Sequence, residues 1–333
     1  MSMPVITHCP GTLVEGFSSY SPACLRLMFA NKKVSPQLAF SSPQVDDEVV
    51  AMFMENRKHL SISGMQEKIS LIQIGRELRC AKEFEQGTHI LKPIPTSLKK
   101  SSMIPANEHV TMQIAKQVYG IRTAECALIF FYDGTPAYIT KRFDVKESGG
   151  KWLTEDCATL AGKTKAEGGD TFKYSYSYEE IGALIRTYIP AWRVEMPRFF
   201  AQVVFNYVFS NGDAHLKNFS LMEQAQGDYM LSPAYDLIAT RLHVEDSDFA
   251  LDKGLFADEW KSEPYKKRGH PVTEDFMEFG KRIGLSERQV QRTLEPFIQR
   301  QAKVQTLVEH SFLNDATKRA YILLYNTKRN FLR

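Results

Sequence analysis

One stretch constrains this chain more than any other, Phe205-Asn-Tyr-Val-Phe-Ser-Asn-Gly-Asp-Ala-His-Leu-Lys-Asn-Phe-Ser220. An apolar helical run stops at Ser210-Asn211-Gly212, a polar loop follows, and Phe219-Ser220-Leu221-Met222 reads as a short strand. The loop holds Asp213, His215, Lys217 and Asn218. Asp213 and Asn218 are five positions apart, the spacing at which a phosphoryl-transfer loop sets an Asp to accept a hydroxyl proton and an Asn to hold a metal. A second carboxylate, Asp236, ends the next strand-like run, Leu231-Ser-Pro-Ala-Tyr-Asp236, where a Mg²⁺-binding Asp would stand. Helix, loop, metal-ligand Asn, hairpin and metal-ligand Asp, in that order, point to phosphoryl transfer.

The rest of the chain must then supply a nucleotide-binding part. With 333 residues and 43% hydrophobic side chains it has enough apolar surface for one large or two coupled domains. A net charge of only +3 argues for no particular partner, and DNA binding would need a local patch that the totals do not show. Five cysteines, odd in number and without a Cys-x-x-Cys pair, argue against a disulfide framework or a structural zinc site and for a reducing cytosol. No stretch reaches 18 consecutive apolar residues and the start lacks a basic n-region, so a soluble, cytoplasmic protein without membrane contact is expected.

Residues 1–43 read as irregular structure wrapped on a core, and 43–57 as a helix with acidic residues at its start. Leu60–Ile74 reads as strand-turn-strand around Ser61-Ile-Ser63-Gly64. With one glycine this is an ordinary hairpin turn, although its backbone N–H groups could also cover nucleotide phosphates. Thr88–Lys92 is a strand stopped by Pro93, and Asn107-Glu108-His109 opens an amphipathic helix ending near Gly120. A strand Lys followed by an acidic residue early on a helix matches the Lys–Glu pair that positions ATP phosphates. Cys126–Tyr132 and Ala137–Phe143 flank Asp133-Gly134, a hairpin signature. Residues 146–178 read as a long loop, 243–270 as mostly surface, and the remainder as helices, with a capping box at Ser286–Gln289. The last helix ends in Lys328, Arg329 and Arg333, which reads as a solvated face rather than a nucleic-acid face.

Taken together these motifs resemble the HipA-like Ser/Thr protein kinases of bacterial toxin–antitoxin systems. The resemblance runs in order over about residues 40–330. It comprises Ser61-Ile-Ser-Gly64-Met65-Gln66-Glu67-Lys68, Lys92, Asn107-Glu108, Arg142-Phe143-Asp144, Glu155-Asp156, Asp213-Ala-His215-Leu-Lys217-Asn218 and Pro233-Ala-Tyr235-Asp236. It implies an α+β, two-lobed protein-kinase-like fold, with a small strand-rich N-lobe over 1–143 and a mainly helical C-lobe over 144–333. It further implies Asp213 as catalytic base, Asn218 and Asp236 as Mg²⁺ ligands, and Glu108 and Lys217 in support. ATP would meet Ser63, Gly64, Met65, Gln66, Glu67 and Lys68 over its phosphates, Lys92 at the phosphates, Lys141, Arg142 and Phe143 by backbone at the adenine, and His215, Tyr235 and Asp236 in the pocket. Ser61 and Ser63 would be autophosphorylation sites.

Long-form family members carry about a hundred further residues before the region seen here, and the Ser-x-Ser turn also looks like the HipT branch. The resemblance therefore implies a small HipS-like partner, a helix-turn-helix HipB-like partner through which DNA is met indirectly, and an aminoacyl-tRNA synthetase, the tryptophanyl enzyme favoured, as substrate. Lys141 departs from the long form, where an acidic residue is common. Two alternatives share parts of the pattern: a small-molecule kinase of the aminoglycoside or choline type, and an inactive nucleotide-binding module in a repressor complex.

Overall fold

The computed structural model describes residues 3–42, 68–95 and 101–333. The helix expected over 43–57 and the turn carrying Ser61, Ser63, Gly64, Met65, Gln66 and Glu67 lie outside the described residues. In chain order the elements begin with α1 (Pro22–Phe29), β1 (Ile69–Ile74), β2 (Glu77–Cys80), β3 (His89–Lys92), α2 (Ile104–Gln117), β4 (Cys126–Phe130) and β5 (Pro136–Lys141). They continue with β6 (Thr154–Asp156), α3 (Cys157–Leu160), α4 (Lys165–Gly168), α5 (Tyr178–Tyr188), α6 (Trp192–Val208), β7 (Ser220–Glu223) and β8 (Tyr229–Leu231). Helices α7 (Glu263–Arg268), α8 (Thr273–Arg282), α9 (Glu287–Ile298), α10 (Ala302–Glu309) and α11 (Asp315–Phe331) complete the chain. The mixture is α+β. The chain divides into two compact units, one of residues 1–114, 124–150 and 305–318, the other of 115–123, 151–304 and 319–333.

The first unit is built on an antiparallel sheet of strand order β2-β1-β3-β5-β4. Its β4–β5 hairpin closes through Asp133, whose carboxylate accepts from Thr135 N–H at 2.8 Å, and Gly134, which takes φ +83° at no steric cost. Every residue of β4 is buried, so the strand is covered on both faces. On one face Ala127, Ile129 and Phe131 join Leu71, Leu91 and Ile139 against Met28 and Phe29 of α1. On the other, Cys126 meets the Gln113 amide of α2. Each fully buried Leu, Ile or Phe contributes about 1.5–3 kcal/mol, so the N-terminal segment is held by its apolar residues despite having little regular structure. Helix α1 starts because Ser21 caps Cys24 N–H and Pro22 presets the first turn, and it stops at Ala30 in the left-handed region.

The second unit is mainly helical around α6, where Phe199, Phe200, Val203, Val204, Phe205, Tyr207 and Val208 are all buried. Phe205 and Phe209 stack at 4.3 Å, Phe209 stacks on Tyr325 at 5.2 Å, and Tyr119 stacks on Phe297 at 4.3 Å. This aromatic seam fixes the end of α6, and with it the start of the polar loop. A three-stranded sheet of order β6-β7-β8 receives the chain beyond that loop. Capping boxes at Ser177–Glu180 and Ser286–Gln289 start α5 and α9.

Two expectations are corrected in this unit. Residues 146–178 are not one long loop, since they contain β6, α3, α4 and a 3-10 helix over Gly169–Tyr174; β6 pairs with β7, a partner 64 to 68 residues on that local composition cannot announce. The segment 243–270 is mostly surface, as expected, and is anchored by the buried Leu251, Leu255 and Phe256. The basic end of α11 is not a solvated face: Lys328 is 2% exposed and ion-paired with Asp248, with its ammonium 4.6 Å from the Tyr207 ring centroid, and Arg329 is buried as well. All five cysteines are buried and free. Among the described residues no helix is long and apolar enough to cross a membrane.

Candidate active site

In the second unit the site starts where α6 stops. Ser210 takes φ +54°, an uncommon conformation for a residue with a side chain, and turns the chain out of the helix. Asn211 then ties the turn to both ends of the site: its amide donates to Asn206 Oδ1 at 2.9 Å and approaches the Asp236 carbonyl at 3.4 Å. Its own Oδ1 accepts from Asp213 N–H at 3.3 Å. Gly212 is required by space, because a Cβ there would sit 2.4 Å from the Asp246 carboxylate and 2.7 Å from the Ser247 carbonyl oxygen. Its N–H donates to Thr240 Oγ1 at 2.8 Å, and that hydroxyl also meets the Asp246 carboxylate. Burial raises the pKa of Asp246.

Asp213 follows with 53% of its side chain exposed. Its Oδ1 accepts from the Tyr174 phenol at 2.7 Å and lies 3.9 Å from His215 Nε2. Burial, and next the Asp213 charge, push the Tyr174 phenol well above its ordinary value, so it remains a donor. The His215 side chain is 3% exposed and lies edge-on to Tyr174 at 5.3 Å. Burial lowers the His215 pKa to about 4, outweighing the pull of Asp213, so the ring is neutral at pH 7. Its buried Nδ1 has no protein partner among the described residues, leaving one polar atom of the pocket available to a ligand.

Lys217 turns away from Asp213 and pairs with Asp156 at 2.6 Å. Asp156 uses its other oxygen to cap α3 through Thr159 N–H at 2.9 Å. The Lys217 carbonyl accepts from the Tyr235 phenol at 2.7 Å, and that phenol lies 2.6 Å from Ser220 Oγ. Lys217 and Tyr235 thus brace the loop against β7. Asn218 and Asp236 meet, with Asn218 Nδ2 3.3 Å from Asp236 Oδ2, and Asp236 holds φ +56°. A non-glycine residue held there stores strain that a precisely aimed side chain explains.

These two side chains fit a hard divalent cation in donor type, a carboxylate and an amide oxygen. As placed, the Asn218 Oδ1 faces away from Asp236 and accepts from His215 N–H at 3.1 Å. Turning the amide over would bring Oδ1 to Asp236. That exchange gives up both bonds of the amide and sets Oδ1 against the Asp236 carboxylate, so it would be favoured only with a cation between the two oxygens.

The first unit holds the other cluster. Lys92, at the end of β3, donates to Glu108 Oε1 on α2 at 2.6 Å, and their side chains are 5% and 2% exposed. The Lys92 ammonium also lies 5.2 Å from the ring centroid of Tyr138, its register partner on β5. At the end of β5 the Lys141 N–H is bonded to the Glu125 carbonyl and the Arg142 N–H to the Thr88 carbonyl, while the Lys141 ammonium approaches the Leu27 carbonyl at 3.3 Å. Arg142 forks onto Asp144, and Phe143 between them is half-buried. Lys68 directly precedes β1. The sequence reading missed Tyr174, Asn211 and the Thr240–Asp246 support. Only the tyrosine-rich run Tyr174–Tyr178 hinted at the first of these, and nothing in spacing singled out the others.

The family model described as HipA-like C-terminal domain matches residues 60–305. A protein of Haemophilus influenzae named a putative kinase is 28% identical over 313 residues, which are 90% of this chain and 88% of that one. The serine/threonine-protein kinase toxin HipA of Shewanella oneidensis is 25% identical over 205 residues, 57% of this chain and 46% of the relative, so the match spans about half of that protein. Among solved structures, the complex of Shewanella oneidensis HipA, HipB and operator DNA contains a chain matching with a TM-score of 0.62 at 19% identity, over 86% of this chain and 69% of that chain. At that identity the likeness shows the fold.

Proposed function

The chain belongs to the HipA-like C-terminal domain family, and from that premise we propose that it is an ATP-dependent serine/threonine protein kinase that acts as the toxin of a toxin–antitoxin system. The observation that carries this reading is the meeting of Asn218 and Asp236 at 3.3 Å beside a loop that leaves the Asp213 carboxylate half-exposed. Asp213 is exposed, whereas Asp236 is only partly exposed and faces Asn218, so Asp213 is the residue proposed to accept the substrate proton. Asn218 and Asp236 would hold Mg²⁺, which neutralises charge on the transferred phosphoryl group when bound. Lys92, fixed by Glu108, is the residue proposed for the ATP phosphates. His215, neutral and buried, offers its free nitrogen to the nucleotide without adding charge. Asn211, Gly212, Lys217 and Tyr235 hold these groups in place, and positioning is most of what phosphoryl transfer asks of a protein.

On the same reading, the backbone of Lys141, Arg142 and Phe143 takes the adenine, and residues 63–68 of the small-residue turn cover the phosphates. Its serines, Ser61 and Ser63, are proposed autophosphorylation sites, where each phosphate brings about −1.5 to −2 charges that oppose triphosphate binding. The proposed substrate is an aminoacyl-tRNA synthetase, the tryptophanyl enzyme favoured. A HipB-like DNA-binding partner is supported by the HipA–HipB–operator complex of the Shewanella relative. A small HipS-like partner rests on the Ser-x-Ser resemblance to the HipT branch.

The test is incubation of the protein with ATP, Mg²⁺ and cell lysate, followed by mass spectrometry of new phosphosites. New phosphoserine or phosphothreonine on protein, absent with Asp213→Asn, is expected. Transfer to a small alcohol and to no protein would replace this reading.

A further inference from the structure

One group of chemically active side chains stands outside everything described so far. Residues 7–16 of the first unit form a tight turn, closed by Cys9 N–H to the Val14 carbonyl at 2.8 Å and Gly16 N–H to the Thr7 carbonyl at 3.0 Å. It makes His8 and Glu15 partners in an isolated antiparallel bridge, and facing residues in such a bridge project to the same side. His310, just beyond α10 and also in the first unit, joins them. Its ring lies 4.2 Å from that of His8, at 34° between planes. One ring nitrogen from each histidine and one Glu15 carboxylate oxygen fall within 4.8 Å of one another.

We propose that His8, Glu15 and His310 form a transition-metal site that takes Zn²⁺ and staples the N-terminal turn to the end of α10. Three features carry it. The donor set of two imidazoles and one carboxylate is that of three-ligand zinc sites, in which water completes the tetrahedron. The His310 tautomer is set for it: Nδ1 lies 3.0 Å from the Leu13 carbonyl oxygen, which only an N–H can satisfy, so Nε2 carries the lone pair. His8 Nδ1 lies 3.0 Å from Thr7 Oγ1, a hydroxyl that can accept from Nδ1–H and so leave Nε2 to a metal. Finally, the spacing needs only a small closure, since ligand atoms around tetrahedral zinc sit roughly 3.4 Å apart. Glu15 is exposed, so its carboxylate can swing towards the two imidazoles. Mg²⁺ is a poor occupant, because it prefers oxygen ligands in octahedral geometry.

The experiment is calorimetric titration of Zn²⁺ into metal-stripped full-length protein, with Mg²⁺ in excess so that the Asn218–Asp236 oxygens are not read as the zinc site. Co²⁺ absorption serves as a second probe of histidine ligation. One Zn²⁺ per chain that Mg²⁺ does not displace is expected, together with a Zn²⁺-dependent rise in melting temperature. His8→Ala and His310→Ala each weaken binding at least about tenfold and abolish the rise. His310→Ala also removes the bond to Leu13, so His8→Ala and Glu15→Gln, which leave that bond intact, keep the test readable if it fails to fold. Zinc affinity and Co²⁺ spectrum unchanged in His8→Ala and Glu15→Gln would overturn the proposal, as would no Zn²⁺ bound by the wild type. Loss of kinase activity in any other assay would not bear on it.

Discussion

Lys92 keeps 5% of its side chain exposed against a Glu108 that keeps 2%, whereas Asp213 keeps 53% and accepts from the Tyr174 phenol at 2.7 Å. Both are the charged residues that the catalytic reading needs most, yet their surroundings are opposite. A residue that must present one fixed charge is best locked between a strand and a helix, where its partner also holds its geometry. A carboxylate that must accept a proton from an exchanging substrate has to stay open. Its precision comes instead from neighbours that fix its backbone, here Asn211, Gly212 and the Thr240–Asp246 pair.

The strongest way to break this comparison is to change charge without changing shape. Asp213→Asn keeps the side-chain volume and the half-exposed position, so the fold should be unaffected while turnover falls on the order of 10³-fold. Nucleotide binding should persist. Asp236→Asn should lose as much turnover and, in addition, the Mg²⁺ dependence of nucleotide binding, measured by titration with and without the ion. Equal transfer rates in both variants and the wild type would remove the catalytic reading.

In the first unit the same kind of change should act on stability instead. Glu108→Ala leaves a buried ammonium without its carboxylate, which costs about 3–5 kcal/mol and should show as a large drop in the denaturation midpoint. Lys92→Met together with Glu108→Leu removes both charges and should recover most of that loss while leaving no activity. If Glu108→Ala were as stable as the wild type, the pair would not be the dry, locked contact described here.

The first unit also buries uncharged imidazoles. Burial lowers His89 and His109 to about 4, and each is anchored by one ring nitrogen on a carbonyl, Met28 and Gly11 respectively. A folded-state value below the unfolded 6.5 means that the unfolded chain takes up the proton first. The stability these rings contribute is therefore complete above about pH 6.5 and is lost as pH falls towards 4, by about 1.4 kcal/mol per pH unit for each ring. His215 of the second unit has the same sign. Denaturant unfolding at pH 7 and pH 5 should show the loss, and His89→Gln should make it shallower; a flat profile would mean that these rings are protonated in the fold.

What could be read beforehand follows the same division between local and distant causes. The end of α6, the β7–β8 hairpin, the β4–β5 turn and the Ser286 cap are each written within a few neighbouring residues, by an apolar period that stops or by turn and cap chemistry. So is the loop from Asp213 to Asn218. The pairing of β6 with β7, the burial of Lys328 against Asp248 and the bracing of Gly212 by Asp246 join residues far apart in sequence. A terminal Lys-Arg pair looks solvated until a carboxylate eighty residues earlier is found beside it. Tyr174 belongs with these, since its phenol reaches Asp213 across 39 positions.

Tyr174 also offers the finest test of the comparison. Its phenol donates to the very oxygen that a substrate hydroxyl would have to reach, at 2.7 Å. With its pKa held high by burial and by the Asp213 charge, it cannot give up that proton to become a base itself. If the open design of Asp213 is what matters, Tyr174 is a competitor that the substrate displaces. A hydrogen bond to a charged group is worth about 1.5–3 kcal/mol when buried, but Asp213 is half-exposed and water replaces much of what is lost. The net effect should be below about 1 kcal/mol, a few-fold in rate. Tyr174→Phe is therefore expected to lower KM for the protein substrate about two- to fivefold with kcat nearly unchanged, and to have no effect in the Asp213→Asn background. A fall in kcat instead would show that the phenol orients Asp213, making the open carboxylate as dependent on a fixed partner as the buried lysine is.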